Sequence, residues 1–405
     1  MFPKLRFKKF NGDWEKTTIG AKSEIVTSGS RDWAQYYSDS GDKFIRMTNL
    51  VRNGINLDLS DLRFVQLPVG SNEGKRTSLE KGDILISITA ELGKLGWIPE
   101  GLGTAYINQH TALVRMKNTL DSKFVAYALS TEKYNNKLNS LNDSGAKAGL
   151  NLGSIRSFEL TIPSKPEQTQ IASFLSVVDE KISQLTQKFE LLSKYKQGMM
   201  QKLFSQQVRF KADDGSDFGA WETTTLGQTG KFIGGGTPSK ENSEFWEGSI
   251  PWISSSDLTE ESIFKINITR FISQNALNQS ATKLVPANSI LIVSRVGVGK
   301  VAITPNEICT SQDFTSLTLH KGSSIFFAYL IKSLTPYLLE MNQGTSIKGF
   351  IKDDLANLEL KIPCIEEQTK IANFLSAIDQ KIEVVAQQIE QAKTWKKGLL
   401  QQMFI

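Results

Sequence analysis

The architecture predicted from this chain is α/β, with two mixed α/β domains in tandem, each followed by a long coiled-coil helix. Three observations carry that reading. A helical segment occurs twice, 200 residues apart: E-Q-T-Q-I-A-S-F-L-S-V-V-D-E-K-I from Glu167 to Ile182, and E-Q-T-K-I-A-N-F-L-S-A-I-D-Q-K-I from Glu367 to Ile382. The register then holds without a gap to Phe204 and Phe404. A repeat of this period contains a supersecondary unit plus a whole domain, so the chain reads as two similar halves. The stretches between the repeats contain β-branched runs and helical patches in matched order, which suits a mixed domain of about 160 residues. The expected divisions are a first globular domain at 1–163, a central helix at 164–205, a second globular domain at 206–363 and a C-terminal helix at 364–405.

The first domain opens on Leu5-Arg6-Phe7-Lys8 and Gly12-Asp13-Trp14-Glu15, and the second on Val208-Arg209-Phe210-Lys211 and Gly219-Ala220-Trp221-Glu222. Ile84-Leu85-Ile86-Ser87 and Ile290-Leu291-Ile292-Val293 follow polar turns and read as buried strands. Each precedes a Gly-Lys step, Gly93-Lys94 or Gly299-Lys300, and then a glutamine, Gln109 or Gln312. Helical patches follow over Asp121 to Leu138 and Ser324 to Met341. A glycine-containing loop and a short apolar strand close each part, Phe158 to Ile162 and Leu358 to Ile362.

In the helices, apolar residues step by four and three. Ile171, Leu175, Val178, Ile182 and Leu185 begin the first seam, and Ile371, Leu375, Ile378, Ile382 and Val385 the second. Such spacing over more than four heptads predicts a coiled-coil interface, and these ten residues are the expected helix and subunit contacts. A lysine interrupts both seams at the same step, Lys196 and Lys396. The favoured expectation is that both lean out to solvent near the helix ends. The alternative is a buried polar group that fixes register. Ser164 with Glu167, and Pro166 in the first turn, predict a capping box for the first helix, whereas Cys364 occupies the corresponding cap position of the second.

Charge is uneven. Residues 1–165 hold 23 Lys and Arg against 17 Asp and Glu, and residues 206–363 hold 14 against 16. The first domain is thus suited to a polyanion, and the second would need a local basic patch. Cys309 and Cys364 are far apart and both are expected in apolar surroundings, which argues against a disulfide framework and fits a cytoplasmic location. No apolar segment follows the basic start, and no run is long enough to span a membrane.

No catalytic constellation emerges. His110 and His320 have no cysteine or carboxylate cluster at metal-ligand spacing, so no metal site is expected. Phe232-Ile233-Gly234-Gly235-Gly236 has the outline of an S-adenosylmethionine loop, but Thr237-Pro238 follows where a helix should open, so it reads as a turn. Gly299-Lys300 lacks the following Ser or Thr of a phosphate-binding loop. Asp121 near Pro99-Glu100 loosely matches a nuclease outline and is more simply a helix cap. The candidate DNA contacts are loop residues of the types that meet phosphates and base edges. In the first domain they are Ser30, Arg31, Arg46, Asn49, Lys75, Arg76 and Lys94. In the second they are Thr237, Ser239, Lys240, Ser255, Arg295 and Lys300. The plain counterpart is that they are solvated loop residues.

The doubled Pro-x-x-x-Glu-Gln-x-x-Ile-Ala-x-Phe-Leu-Ser-x-x-Asp-x-Lys-Ile, with the Trp-Glu-x-Thr-x-Leu/Ile-Gly opening of each domain, resembles the specificity subunits of type I restriction-modification enzymes. The resemblance spans essentially the whole chain. It implies two target recognition domains, each reading one half of a split, asymmetric double-stranded DNA sequence. It also implies that the two helices pack antiparallel as a spacer, setting the gap between half-sites and presenting surfaces to two modification subunits. This chain would be non-catalytic and bind no cofactor. S-adenosylmethionine would be used by the modification subunits, and ATP and Mg2+ by restriction subunits, with no membrane involved. The alternative is a coiled-coil interaction scaffold without DNA readout.

Overall fold

Ile84-Leu85-Ile86-Ser87 is apolar almost throughout because the strand it forms is covered on both faces. Ile84 and Ile86 enter a core shared with the helix Ser122–Ser130, while Leu85 joins Ile45, Ile98, Ile107 and Leu113 in a second core. Ile290–Val293 behaves identically: Ile290 and Ile292 pack with Phe326 and Tyr329, and Leu291 and Val293 with Ile253, Val285 and Ile308. The computed structural model describes residues 3–141, 149–341 and 349–404. Most of the two glycine-containing loops expected before the closing strands, at 142–148 and 342–348, lies outside the described residues.

The chain divides into two compact units, Met1–Leu185 with Gln388–Ile405, and Thr186–Gln387. In the first, Ser23–Ser28, Thr111–Met116, Ile84–Ser87 and Leu95–Trp97 form an antiparallel sheet in that order. A second sheet runs Tyr37–Ser38, Arg63–Val65, Asp42–Ile45, Ala105–Ile107, and its last pair is parallel. In the second unit the corresponding sheets are Gly230–Gly234, Phe314–Leu319, Ile290–Val293, Val301–Ile303 and Arg270–Ile272, Ile250–Ile253, Ile308–Thr310, Leu284–Val285. Again one pair, Ile250–Ile253 with Ile308–Thr310, is parallel. The mixed helix and sheet content is as expected.

The opening and closing segments of each domain pair with each other. Glu15–Thr18 runs antiparallel to Glu159–Ile162, and Glu222–Thr225 to Glu359–Ile362, in the same register. The first helical patch is two helices, Ser122–Ser130 and Glu132–Ser140, because Thr131 stops one and its hydroxyl accepts from Tyr134 N to cap the next. Asp121 is a cap, accepting from the backbone of Lys123 and Phe124. The second patch is a single helix, Ser324–Met341.

The spacer helices are Lys165–Phe204 and Ile365–Met403, each about 60 Å long at 1.5 Å per residue. The first unit contains the start of the first helix and the end of the second, and the second unit the complementary pieces. The helices therefore pair antiparallel. Of the ten seam residues, eight are buried, and Ile182 and Ile382 are half-buried.

Candidate nucleic-acid interface and its anchors

The seam lysines do not lean out to solvent. Lys196 is only 7% exposed and its Nζ lies 2.5 Å from Asp379 Oδ1, beside the Tyr329 ring. Tyr329 OH donates to the other carboxylate oxygen at 2.5 Å. In the other unit Lys396 meets Asp179 at 2.5 Å, and Tyr127 OH donates to Asp179 Oδ2 at 2.7 Å. Burial, reinforced by the adjacent aspartate, pushes both tyrosine hydroxyls above their ordinary pKa. Each lysine is thus a buried polar seam group paired across the helices, not a side chain that snorkels to solvent. Its partner is the Asp of the repeated Asp-x-Lys-Ile step.

A second anchor is also duplicated. Arg6 holds Glu167 with two hydrogen bonds of 2.7 Å and donates to Gly12 O. Arg209 holds Glu367 at 3.1 and 2.7 Å and donates to Gly219 O. Hydrogen bonding to the carboxylate raises both arginine pKa values. This corrects the expected capping box: the Glu167 carboxylate is engaged by Arg6, and its backbone N–H bonds Ser164 O. Gln168 and Gln368 each donate to the carbonyl of the preceding Pro163 or Pro363 and accept from Asp121 N or Ser323 N. Phe7 against Phe174 and Phe210 against Phe374 complete each anchor. Cys309 is buried, which pushes its thiol up to about 11, while Cys364 is exposed, contrary to the expected apolar setting.

On this frame the structure brings some candidate loop residues together. Gly29 passes so close to Ile107 O and Asn108 that no Cβ fits, and this seats Ser30 beside Asn108. Ser30 donates to Glu73, and Arg76 donates to Thr27 Oγ1 and Ser28 O, so loops 27–31 and 71–77 form one cluster. Lys75 bonds Asn72 in the same loop, and Arg31 is exposed. Gln109 N donates to Ser30 O, and its side chain reaches His110, whose other ring nitrogen bonds Thr89.

The second unit builds a related cluster. Gly235 and Gly236 pass against the backbone of Ser311 and Ala281 with no room for a Cβ, which explains the glycines as close-approach positions. Thr237 donates to Gln312, and Trp246 Nε1 donates to Ser239 O. Lys240 and Arg295 are exposed. Gln109 and Gln312, in matched positions, were not among the candidates; their shared order before a strand was the available signal.

Other candidates are held elsewhere. Arg46 pairs with Asp61 at 2.7 Å. Asn49 is 1% exposed and its amide bridges Arg46 N, Asp58 O and Asp61 O, which makes it a loop brace. Lys94 pairs with Glu91. Ser255 is buried and its carbonyl accepts from Lys300 at 3.0 Å. Gly93 and Gly299 both have positive φ, so the Gly-Lys step is a backbone requirement. Among the described residues no group of three or more His, Cys, Asp or Glu could hold a metal ion, and no helix is long and apolar enough to cross a membrane.

Residues 11–193 and 219–394 match the type I restriction modification DNA specificity domain, one match in each half. The chain belongs to that family, the non-catalytic specificity subunits that recognise DNA sequence. It is 27% identical to a putative type I restriction enzyme MjaX specificity subunit of Methanocaldococcus jannaschii, over 98% of this chain and 94% of that one. It is 36% identical to the EcoR124I/EcoR124II specificity subunit of Escherichia coli over 40% of this chain and 41% of that one. The crystal structure of a type I S subunit from M. genitalium superposes with a TM-score of 0.63 at 17% identity, covering 100% and 99% of the two chains.

Proposed function

We propose that domains 1–163 and 206–363 each read one half of a bipartite double-stranded DNA target, while segments 164–205 and 364–405 set the gap and dock two modification subunits. The observation that supports this best is the contrast between frame and loops. Identical Tyr-Asp-Lys and Arg-Glu anchors tie each domain to the helices, and on them sit unlike polar loops, around Ser30, Arg31, Lys75 and Arg76 in one unit and Thr237, Ser239 and Lys240 in the other. A repeated scaffold with divergent loops suits two readers of different sequences. The modification subunits would supply S-adenosylmethionine chemistry and the restriction subunits ATP- and Mg2+-dependent work, all in the cytoplasm.

The test is to express the chain with its modification subunits and sequence the methylome. The expected result is one asymmetric, bipartite methylated motif that disappears when this chain is omitted. A methylome unaffected by the chain overturns the proposal and favours the scaffold reading.

A further inference from the structure

The first unit contains a groove of about 830 Å³ whose polar lining includes Arg52, Asn53, Asn56, Asn136, Lys393 and Lys397. We propose that this groove grips a stretch of DNA sugar-phosphate backbone, and that only the first unit has such a clamp. The inference rests on the DNA-reading function proposed above.

The chemistry of the lining favours phosphodiester. Arg, Lys, Asn, Ser, Thr and Gln are the side chains that contact phosphate and sugar, and they make up most of the walls. Among the described residues no aromatic lines the groove, whereas Trp and Tyr are prominent anchors of protein interfaces. The lining has two carboxylates, Glu132 and Asp179, and Asp179 is neutralised by Lys396; Lys393 bonds exposed Glu390. Arg52 also donates to Leu92 O, which connects the groove to the loop carrying Lys94.

The second unit supplies the internal comparison. Its matching loop is fixed by two backbone bonds, Trp97 N to Ile55 O in one unit and Ile303 N to Ile263 O in the other. Counting back three residues places Glu260 where the first unit has Arg52, and Glu261 where it has Asn53. By the helical repeat, Lys393 corresponds to Ser193 and Lys397 to Gln197. By the Tyr127 and Tyr329 match, Asn135 and Asn136 correspond to Tyr337 and Leu338. Two cations are added, Lys194 in place of Thr394 and Lys332 in place of Ser130, against a further acid, Glu383 in place of Ser183. Lys332 donates to Glu260 O, and burial lowers its pKa to about 8. The corner that is basic and amide-rich in one unit is acidic and partly apolar in the other.

The experiment uses the complex of the full chain with its modification subunits and duplex DNA with and without the target. Arg52→Gln, Lys393→Gln and Lys397→Gln are combined, and Kd is measured across a salt series. The expected result is weaker binding of both duplexes by a similar factor, a salt slope shallower by roughly 1 for each cation removed, and an unchanged methylated motif. A salt slope equal to that of the unmodified complex overturns the clamp. Loss of the modification subunits from the variant, seen by size exclusion, would also overturn it and assign the groove to a protein partner. If the unmodified complex binds no DNA, the DNA-reading function itself fails, a result distinct from failure of the clamp alone.

Discussion

The two units use the same residues where a domain meets the spacer helices and different residues within the domain. The Tyr-Asp-Lys contacts, the Arg-Glu pairs and the edge strand pairs are shared down to register. Inside the domains, equivalent positions have different chemistry. Asp83 is fully buried and bound by Arg115 through two hydrogen bonds of 2.8 Å, while the matching Ser289 and Thr318 share a hydroxyl pair at 2.7 Å. Asn49 braces the first loop, and Asp257, paired with Arg270, braces the second. Sequence is therefore preserved where two elements must meet in one geometry, and it drifts where any satisfied polar pair will serve. The Trp at the start of each domain shows the limit of this symmetry. Trp221 Nε1 donates to Glu367 at 3.1 Å, whereas Trp14 Nε1 has no hydrogen-bond partner among the described residues.

The largest effects should come from the shared contacts. Asp179→Ala and Asp379→Ala each strand a buried lysine and a tyrosine hydroxyl, so each is expected to cost about 3–5 kcal/mol. Denaturant unfolding would check this, and similar losses at the two sites are expected; a loss below about 1 kcal/mol at either would break the equivalence. The divergent pair should separate the units. Asp83→Ala leaves Arg115 without its buried partner, at about 3 kcal/mol, while Ser289→Ala removes one neutral hydrogen bond, at about 1 kcal/mol. Equal values would show that the ion pair and the hydroxyl pair are interchangeable.

The smallest effect concerns Lys332, which has no charged counterpart in the first unit. Burial lowers its folded pKa to about 8 from 10.5, and nearby Lys196 adds to the fall. The unfolded chain then binds more protons between those values, so stability should rise as pH increases from about 8 to 10. Below pH 8 both states are protonated and the burial penalty is fully present. Lys332→Met should flatten this rise in a Tm series. A rise of the same size in the variant would remove Lys332 as its source.

Much of this arrangement was legible in the sequence. The 200-residue repeat, the seam spacing and the β-branched runs at Ile84 and Ile290 gave the halves, the helices and the central strands. The lysines were misread because their partners are far along the chain: Lys196 meets Asp379 and Lys396 meets Asp179. A local solvent-seeking rule cannot register an ion pair made across antiparallel helices. Glu167 was misread for the same reason, since Arg6 outcompetes the local cap. Asn49 had the composition of a surface loop residue, and only three-dimensional structure reveals that its amide is fully occupied. Composition could mark loops but could not say which polar groups were already satisfied.

The central claim is that one frame carries two independent readers. Its most direct test replaces residues 1–163 with the corresponding segment of a relative that retains the equivalents of Arg6 and Tyr127, so the contacts to Glu167 and Asp179 persist. The hybrid is expressed with the modification subunits and its methylome sequenced. The expected result is a motif in which one half matches that of the relative while the other half and the gap are unchanged. A motif altered in both halves, or in neither, would contradict the account.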